Sequence, residues 1–169
     1  LHGVGPHNIQ CFNSLSQEIV SKANKYTKVI GNPPFATSLK PVESTPLCKL
    51  LNLPHTNHGD LLFIALYLYL LKTGGKAALI VPANVLWGIT RAHISLRKSL
   101  VEDHCLEGVV SLPSGVFTHT GIKTAILLFT KTGTGGTENV WFYDMQSDGY
   151  MGGVFQKEKI LPNTKLGLT

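Results

Sequence analysis

The sequence predicts an α/β fold in which a mixed sheet, parallel with antiparallel strands at one side, is flanked by helices. Its segments follow the order strand, helix, strand, helix, strand, which is typical of βαβ units. Two more strand-like segments then follow with no helix between them. The length of 169 residues suits one domain with its own core.

The first half of the chain supplies the predicted parallel strands and their crossover helices. Residues 28–31 predict a short buried strand. Within the polar, proline-containing connection that follows, Thr45 and Pro46 predict the start of a short helix. Asp60 is the expected N-cap of an apolar helix over residues 61–72, which the glycine pair after it terminates.

The second half begins with KAALIVP at 76–82, whose uninterrupted apolar character predicts a central strand covered on both faces. Thr90 is the expected cap of a helix over 91–102. Further strands are predicted at 106–113, 123–131 and 139–145. The glycine-rich linker at 132–138 predicts a turn between the last two as antiparallel neighbours. From residue 146 onward, weak periodicity predicts a loop or a frayed tail.

Composition and charge narrow the function only a little. A hydrophobic fraction of 43% and a charged fraction of 15% exclude a disordered tail and a collagen-like scaffold. The formal net charge of +5 permits a nucleic-acid partner without demonstrating one. The three cysteines lie far apart in no metal-binding pattern, and the apolar segment at 61–71 is too short to span a bilayer. We therefore expect a cytoplasmic protein with no membrane partner.

The stretch VIGNPPFAT at residues 29–37 carries the first chemical signal. Its two prolines forbid a helix and stiffen the backbone at the carboxyl end of a predicted strand, where ligands bind in open α/β sheets. The Asn32 amide oxygen and the Pro33 carbonyl are adjacent hydrogen-bond acceptors, which suit an exocyclic amine. Phe35 offers a flat face for stacking. An amine held beside an aromatic ring is what chemistry on a flipped nucleobase requires.

Several motifs resemble one known family. NPPF resembles the (N/D)PP(Y/F/W) motif of amino-methyltransferases that use S-adenosylmethionine. Four further blocks resemble, in order, the modification (M) subunit of type I restriction-modification systems: VPANVLWG at 81–88, VVSLPSGVF at 109–117, TGIKTAILLFT at 120–130 and VWFYDMQSDGY at 140–150. The chain is similar to the carboxyl-side half of that subunit's catalytic domain, which implies a partial Rossmann-like methyltransferase fold.

The resemblance implies an adenine-specific DNA methyltransferase that moves a methyl group from S-adenosyl-L-methionine to N6 of a flipped adenine. It implies catalytic positions at Asn32, Pro33, Pro34 and Phe35. Asn32 and the Pro33 carbonyl would accept hydrogen bonds from N6, and Phe35 would stack on the base. The implied partners are DNA, a separate specificity (S) subunit and a restriction (R) subunit. Because the leaving thioether is neutral, we expect no His or carboxylate general base.

The opening of the chain resembles the block that follows the family's cofactor loop. FNSL at 12–15 stands where the family commonly has GDSL, so that Asn13 replaces an Asp. The resemblance implies cofactor contacts from Asn13, Ser14 and Asn32. The family's Gly-rich cofactor loop is expected upstream of this chain. Residues 1–169 are therefore predicted to be a single-domain fragment that is inactive alone and binds the cofactor weakly.

Other departures from the family pattern leave two alternatives open. Ala83 and Asn84 stand where the family usually has Asp-Gly, and Ala36 stands where it usually has Gly. With Asn13, these substitutions favour as one alternative a degenerate, non-catalytic copy that only binds DNA or a partner. The other alternative is a methyltransferase with the same motif that acts on RNA or on a protein glutamine.

Two further sets of residues carry weaker signals. Lys123 and His119 lie near the TGIKT segment and are candidate contacts to DNA phosphates, although a simple strand start is the commoner reason for such a segment. His55 and His58 have a spacing that suits metal binding, but no third ligand is evident. We therefore predict a solvated pair and no metal site.

Overall fold

The fold was obtained as a computed structural model, which describes residues 9, 11–117, 120–148, 150–151 and 158–159. The strands are β1 (Tyr26–Gly31), β2 (Leu71–Pro82), β3 (Cys105–Ser111), β4 (Thr124–Thr130), β5 (Trp141–Asp144), β6 (Tyr150–Met151) and β7 (Glu158–Lys159). The helices are α1 (Pro41–Leu50), α2 (Gly59–Leu70), α3 (Asn84–Trp87) and α4 (Arg91–Lys98), with a 3₁₀ helix at Gln17–Lys22 and a π-helical turn at Ser99–Asp103.

The main sheet has five strands in the order β1-β2-β4-β3-β5. Strand β1 is parallel to β2, and β5 is parallel to β3. Strand β4 is antiparallel to both of its neighbours, β2 and β3. The predicted mixed α/β sheet is therefore confirmed, but the antiparallel strand lies inside the sheet and not at one side.

The predicted hairpin between β4 and β5 is wrong, because β3 lies between these two strands. The glycine-rich linker binds the start of β3 instead of turning back on β4. The Gly135 N–H donates to the Asp103 carbonyl at 2.9 Å. The Thr137 hydroxyl accepts from the Leu106 N–H at 2.9 Å and donates to the His104 carbonyl at 3.1 Å. These contacts carry the chain past β3 to the far edge of the sheet.

The two faces of the sheet differ in burial. We call one the covered face, which carries Ala77, Leu79, Val81, Val109, Ala125, Leu127 and Phe129, all of them buried. We call the other the open face, which carries Ile30, Ala78, Ile80, Val110, Ile126, Leu128, Trp141 and Tyr143, all of them partly or largely exposed. The prediction that β2 is covered on both faces is wrong for the described structure, since its residues alternate between the two faces.

Helices α2 and α4 contact each other and share one hydrophobic core with the covered face. Helix α2 is apolar around most of its circumference, and nine of its residues are buried. That pattern is typical of a helix enclosed by protein on several sides. The described helices and sheet thus form two principal layers with the core between them.

Helix α2 ends differently from the prediction. It stops at Leu70, and strand β2 begins at the next residue, well before the two glycines. The ammonium of Lys131 donates to the Leu68 carbonyl at 2.7 Å and to the Leu71 carbonyl at 3.0 Å. A cation therefore satisfies carbonyls at the helix end, which is the role predicted for a glycine cap. At the other end His58, and not Asp60, is the N-cap residue.

The remaining helices show where local signals succeeded and where they failed. Thr90 caps α4 as predicted, since its hydroxyl oxygen accepts from the His93 N–H at 3.4 Å. Helix α1 begins at Pro41, so that Pro46 lies inside it and does not start it. The Glu43 carboxylate fixes that earlier start by accepting from the Lys40 N–H at 3.0 Å.

The first strand and the last stretch of the chain also differ from the prediction. Strand β1 is an edge strand, not a buried one, and its Ile30 is 86% exposed. In the stretch predicted as loop or tail, β6 and β7 pair as a short antiparallel ladder. No helix in the described part of the chain has the length and apolar character needed to cross a membrane.

Candidate functional site

Asn32 lies at the carboxyl end of β1, immediately after Gly31. Its side chain is exposed, and it makes no hydrogen bond to any residue that the structure describes. The backbone before it has little room, because a Cβ on Gly31 would lie 2.7 Å from the Tyr67 hydroxyl oxygen. The amide group is thus held at the end of a strand with its hydrogen-bonding capacity unused.

The two prolines after Asn32 have different surroundings. Pro33 is buried and Pro34 is exposed. The Pro34 carbonyl accepts a hydrogen bond from the Thr37 hydroxyl at 3.2 Å. The Pro33 carbonyl has no hydrogen-bond partner among the described residues. The Pro33 carbonyl, which is the predicted acceptor for the target amine, is therefore free to accept a hydrogen bond.

The Phe35 ring contacts a second aromatic ring. Its centroid is 5.5 Å from that of Phe117, and the rings are inclined at 76°, an edge-to-face arrangement. Phe117 follows β3 and is far from Phe35 in the sequence. Sequence reasoning did not single out Phe117; the signal that was available is the aromatic residue ending the VVSLPSGVF block.

The chain after Phe35 is in a constrained conformation. Ala36 has φ +55°, in the left-handed region that non-glycine residues rarely adopt. Such a position costs about 1 kcal/mol for a residue with a Cβ. The family's usual Gly at this position has a structural reason, because glycine adopts left-handed backbone without that cost.

Residues 36–39 lie beside the segment that begins α2. The Gly59 N–H donates to the Thr37 carbonyl at 2.8 Å, and the Leu39 N–H donates to the Asn57 carbonyl at 3.0 Å. The approach is close, since a Cβ on Gly59 would lie 2.8 Å from the Thr37 Cβ. Helix α2 therefore positions the turn that contains Asn32 and Phe35.

Two titratable groups near this turn have shifted pKa values. Burial raises the pKa of the Asp60 carboxyl, while nearby His58 and the backbone N–H groups of Ala36 and Asp60 act to lower it. Burial also lowers the pKa of His93, and His58 and Arg97 lower it further. The rings of His58 and His93 are 5.6 Å apart. Burial thus favours the uncharged form of both Asp60 and His93.

Of the three residues predicted to contact the cofactor, Asn13 and Ser14 lie beside two different cavities, and Asn32 lines neither of them. Asn13 and Pro34 border a cavity of about 550 Å³. Ser14 borders a separate groove of about 340 Å³ along β1, which Ile30 also lines. The Asn13 side-chain oxygen already accepts from the Leu15 N–H at 3.0 Å, within a local turn.

Of the two candidate DNA contacts, only Lys123 lies among the described residues. Lys123 is exposed and directly precedes β4. It therefore lies at the same end of the strands as Asn32, beyond the carboxyl ends of β1 and β2. Its carbonyl accepts from the Ala83 N–H at 2.8 Å. His119 lies outside the described residues.

The candidate metal ligands do not form a cluster in the described structure. His55 and His58 are both exposed. Within the described ranges, no three His, Cys, Asp or Glu side chains are grouped so that they could hold a metal ion.

The mixed sheet and its helices form a partial Rossmann-like fold of the kind found in methyltransferases. Comparison with known proteins is more specific: the N-6 DNA methylase family model matches residues 1–167, and the chain belongs to this family. The resemblance seen in the sequence is therefore confirmed.

Similar proteins are named as parts of type I restriction enzymes. The EcoEI methylase subunit of Escherichia coli is 34% identical over 147 residues, which are 85% of this chain. The EcoKI M protein has a crystal structure that superposes with a TM-score of 0.64 at 28% identity, covering 79% of this chain and 28% of that one. A modification subunit of a putative type I restriction enzyme from Vibrio vulnificus gives a TM-score of 0.67 at 25% identity, covering 80% of this chain and 29% of that one.

The chain spans 29% of the EcoEI methylase subunit and 23% of the EcoKI methylase subunit.

Proposed function

We propose that this chain supplies the target-base side of an S-adenosylmethionine-dependent DNA methyltransferase that modifies N6 of adenine. The observation that carries the proposal is the exposed Asn32 amide at the end of a parallel strand, which has no hydrogen-bond partner among the described residues. It stands three residues before Phe35, whose ring contacts that of Phe117. Membership of the N-6 DNA methylase family supports the same reaction.

In this proposal the turn holds the adenine amine through two acceptors. The Asn32 amide oxygen and the Pro33 carbonyl each accept one N6 hydrogen, which fixes the direction of the nitrogen lone pair. Phe35 stacks on the base, and its contact with Phe117 limits how far the ring can turn. The rigid prolines let this arrangement exist before the base arrives, so that little ordering entropy is lost on binding.

S-adenosylmethionine, when bound, supplies an electrophilic methyl group on a sulfonium sulfur. The residues proposed to contact it are Asn13, Ser14 and Asn32, of which Asn13 lines the cavity beside Pro34. The fit is partial: Asn13 retains its amide N–H₂ donors, whereas its oxygen is used within the local turn. We accordingly propose that residues 1–169 alone bind the cofactor weakly and do not turn over.

The proposed partners follow from the relatives, which are named as subunits of type I restriction enzymes. We propose DNA, a specificity subunit that selects the sequence and a restriction subunit, with Lys123 and His119 as contacts to DNA phosphates. A cytoplasmic location is part of the same proposal, because that is where the DNA substrate lies.

The direct experiment is methyl transfer by the full-length protein with its specificity partner, using radiolabelled S-adenosylmethionine. Asn32→Ala should lower the single-turnover rate by about 100-fold or more. Phe35→Ala should weaken capture of the flipped base, because stacking on an aromatic ring contributes about 1–3 kcal/mol. The matched control is Asn139→Ala, which removes an exposed amide from the linker before β5.

The same assay separates the alternatives. Offering DNA, RNA and a glutamine-containing protein in parallel identifies the acceptor. Unchanged turnover in Asn32→Ala would remove the proposed role of this residue. A full complex that methylates none of the three acceptors would instead favour the degenerate, binding-only copy, for which Asn13, Ala83 and Asn84 are the motivating substitutions.

A further inference from the structure

Asp60 is the charged residue of an otherwise uncharged helix, and it lies almost wholly inside the protein. Only 6% of its surface is exposed. Its Oδ1 atom has no hydrogen-bond partner among the described residues. Helix α2 otherwise consists of apolar residues, tyrosines and one glycine. A buried carboxylate with an unused acceptor destabilises a fold, so packing alone gives no reason for an acid here.

The group that this carboxylate meets belongs to the turn that carries Asn32 and Phe35. The start of α2 pairs with this turn through the 2.8 Å hydrogen bond from Gly59 N–H to the Thr37 carbonyl, and the backbone N–H of Ala36 acts on the Asp60 carboxyl as a donor that lowers its pKa. Ala36 directly follows Phe35 and is the residue with left-handed backbone, φ +55°. A conformation of this kind persists only where surrounding contacts hold it in place.

The neighbouring contacts along the same segment join backbone to backbone. They are the Gly59–Thr37 and Asn57–Leu39 hydrogen bonds. Asp60 adds a side-chain contact to this pairing, at the position nearest to Phe35. It is therefore placed to control the turn without touching a bound base.

We propose that Asp60 is a positioning residue for the methyl transfer: through the Ala36 amide it holds the turn so that Asn32 and Phe35 present their groups to the target adenine. The catalytic consequence rests on the proposed function. The effect on the turn does not, and it can be measured separately.

The first measurement is hydrogen exchange at the Ala36 amide in the full-length protein. Asp60→Leu removes the acceptor while filling a similar volume, and exchange should accelerate about five- to tenfold, as expected for loss of one hydrogen bond. Asp60→Asn keeps an acceptor oxygen and should exchange like the wild type. Glu107→Gln neutralises an exposed carboxylate in β3, at the opposite end of the strands from Asn32, and should have no effect.

The second measurement is single-turnover methyl transfer with the specificity partner present. Asp60→Leu should be about 10- to 100-fold slower, because a small misplacement of reacting groups is costly. Its affinity for S-adenosylmethionine should not change, and Asp60→Asn should restore most of the rate. The melting temperature of Asp60→Leu should stay close to that of the wild type, since removal of the unpaired Oδ1 offsets loss of the Ala36 interaction.

The outcomes are distinguishable. A wild-type complex that fails to methylate DNA, together with accelerated Ala36 exchange in Asp60→Leu, would refute the proposed function and keep the role of Asp60 in the turn. Unchanged exchange and rate in Asp60→Leu would overturn the Asp60 inference alone. A lowered melting temperature with no rescue by Asn would assign Asp60 a purely structural role and also overturn it. Should the Leu variant not fold, Asp60→Ala carries the same comparison.

Discussion

The two faces of the central sheet are built from neighbouring residues of the same strands, yet the helices that the structure describes enclose only one of them. Leu127 on the covered face is 2% exposed, whereas Leu128, the next residue of β4, is on the open face and partly exposed. The open face also carries large apolar side chains, including Ile30 at 86% exposure, beside the polar residues Lys76 and Thr130. Apolar character along a strand therefore shows that a face is suited to burial, not that another layer covers it.

The difference comes from the helices. Helices α2 and α4 pack together on the covered face and complete its core. Large apolar side chains grouped on one exposed face often mark a surface that another layer or a partner covers. In the proposed larger enzyme, we expect this face to be covered by parts of the protein outside this chain.

The largest expected effect comes from a matched pair in β4. Leu127→Ala should destabilise this chain by about 2–5 kcal/mol, because it leaves a cavity in the core. Leu128→Ala should cost about 1 kcal/mol, because little apolar area is lost there. Urea unfolding of both variants measures the contrast. Equal losses would show that the open face is enclosed in this chain as well.

The second effect concerns Lys131, which binds the end of helix α2 on the covered face. Lys131→Met should lower the free energy of unfolding by about 1–3 kcal/mol, because three acceptors lose a charged donor. These are the Leu68 and Leu71 carbonyls and the Asn24 side-chain oxygen, at 2.7, 3.0 and 2.8 Å. Lys72→Met, which removes an exposed lysine at the start of β2, is the control. A similar loss in both variants would argue that charge in general, and not this anchor, is responsible.

The third effect is a pH dependence that originates in the covering layer. Burial lowers the pKa of His93 in α4 below its ordinary value of 6.5. Between the lowered pKa of the folded protein and 6.5, the unfolded chain binds more protons than the folded one. The free energy of unfolding should therefore fall as the pH drops below about 6.5. His93→Gln should flatten this part of the profile, and His55→Gln, at an exposed site, should not. Urea titrations between pH 5 and 8 measure it, and an unchanged slope in His93→Gln would assign the dependence to another group.

The smallest effect is expected at the edge of the open face. Ile30→Thr keeps a β-branched residue in β1 and should change the stability of this chain by less than about 0.5 kcal/mol, because Ile30 is already in solvent. Thermal melting measures it. A loss comparable to that of Leu127→Ala would mean that something packs on Ile30 in solution.

The success of sequence reasoning depended on the range of the interaction. The cap of α4 was predictable, because Thr90 bonds to an amide three residues away. The rigid turn at Asn32 was predictable for the same reason, since prolines act on their own backbone. The end of α2 was not, because the stabilising ammonium comes from Lys131, some sixty residues further along.

The site shows the same division. Asn32, Pro33 and Phe35 were recognisable as neighbours in one motif, and in the structure Asn32 is exposed at the end of β1. Phe117 was not recognised, because its contact with Phe35 exists only after β3 and β4 have paired. Asp60 was predicted as a helix cap, since nothing in the sequence links it to Ala36.

The amino-acid sequence by itself determined the approximate positions of the main strands and helices, which residues stiffen the turn and which amide follows β1. Backbone restriction, capping and hydrophobic periodicity act within a few residues, so they are readable along the chain. The tertiary structure alone decided that β3 lies between β4 and β5, that one face of the sheet is covered, and that Phe117 and Asp60 meet the turn. These outcomes depend on strand order and on which layer packs where, and such contacts arise only between residues that are distant in the sequence.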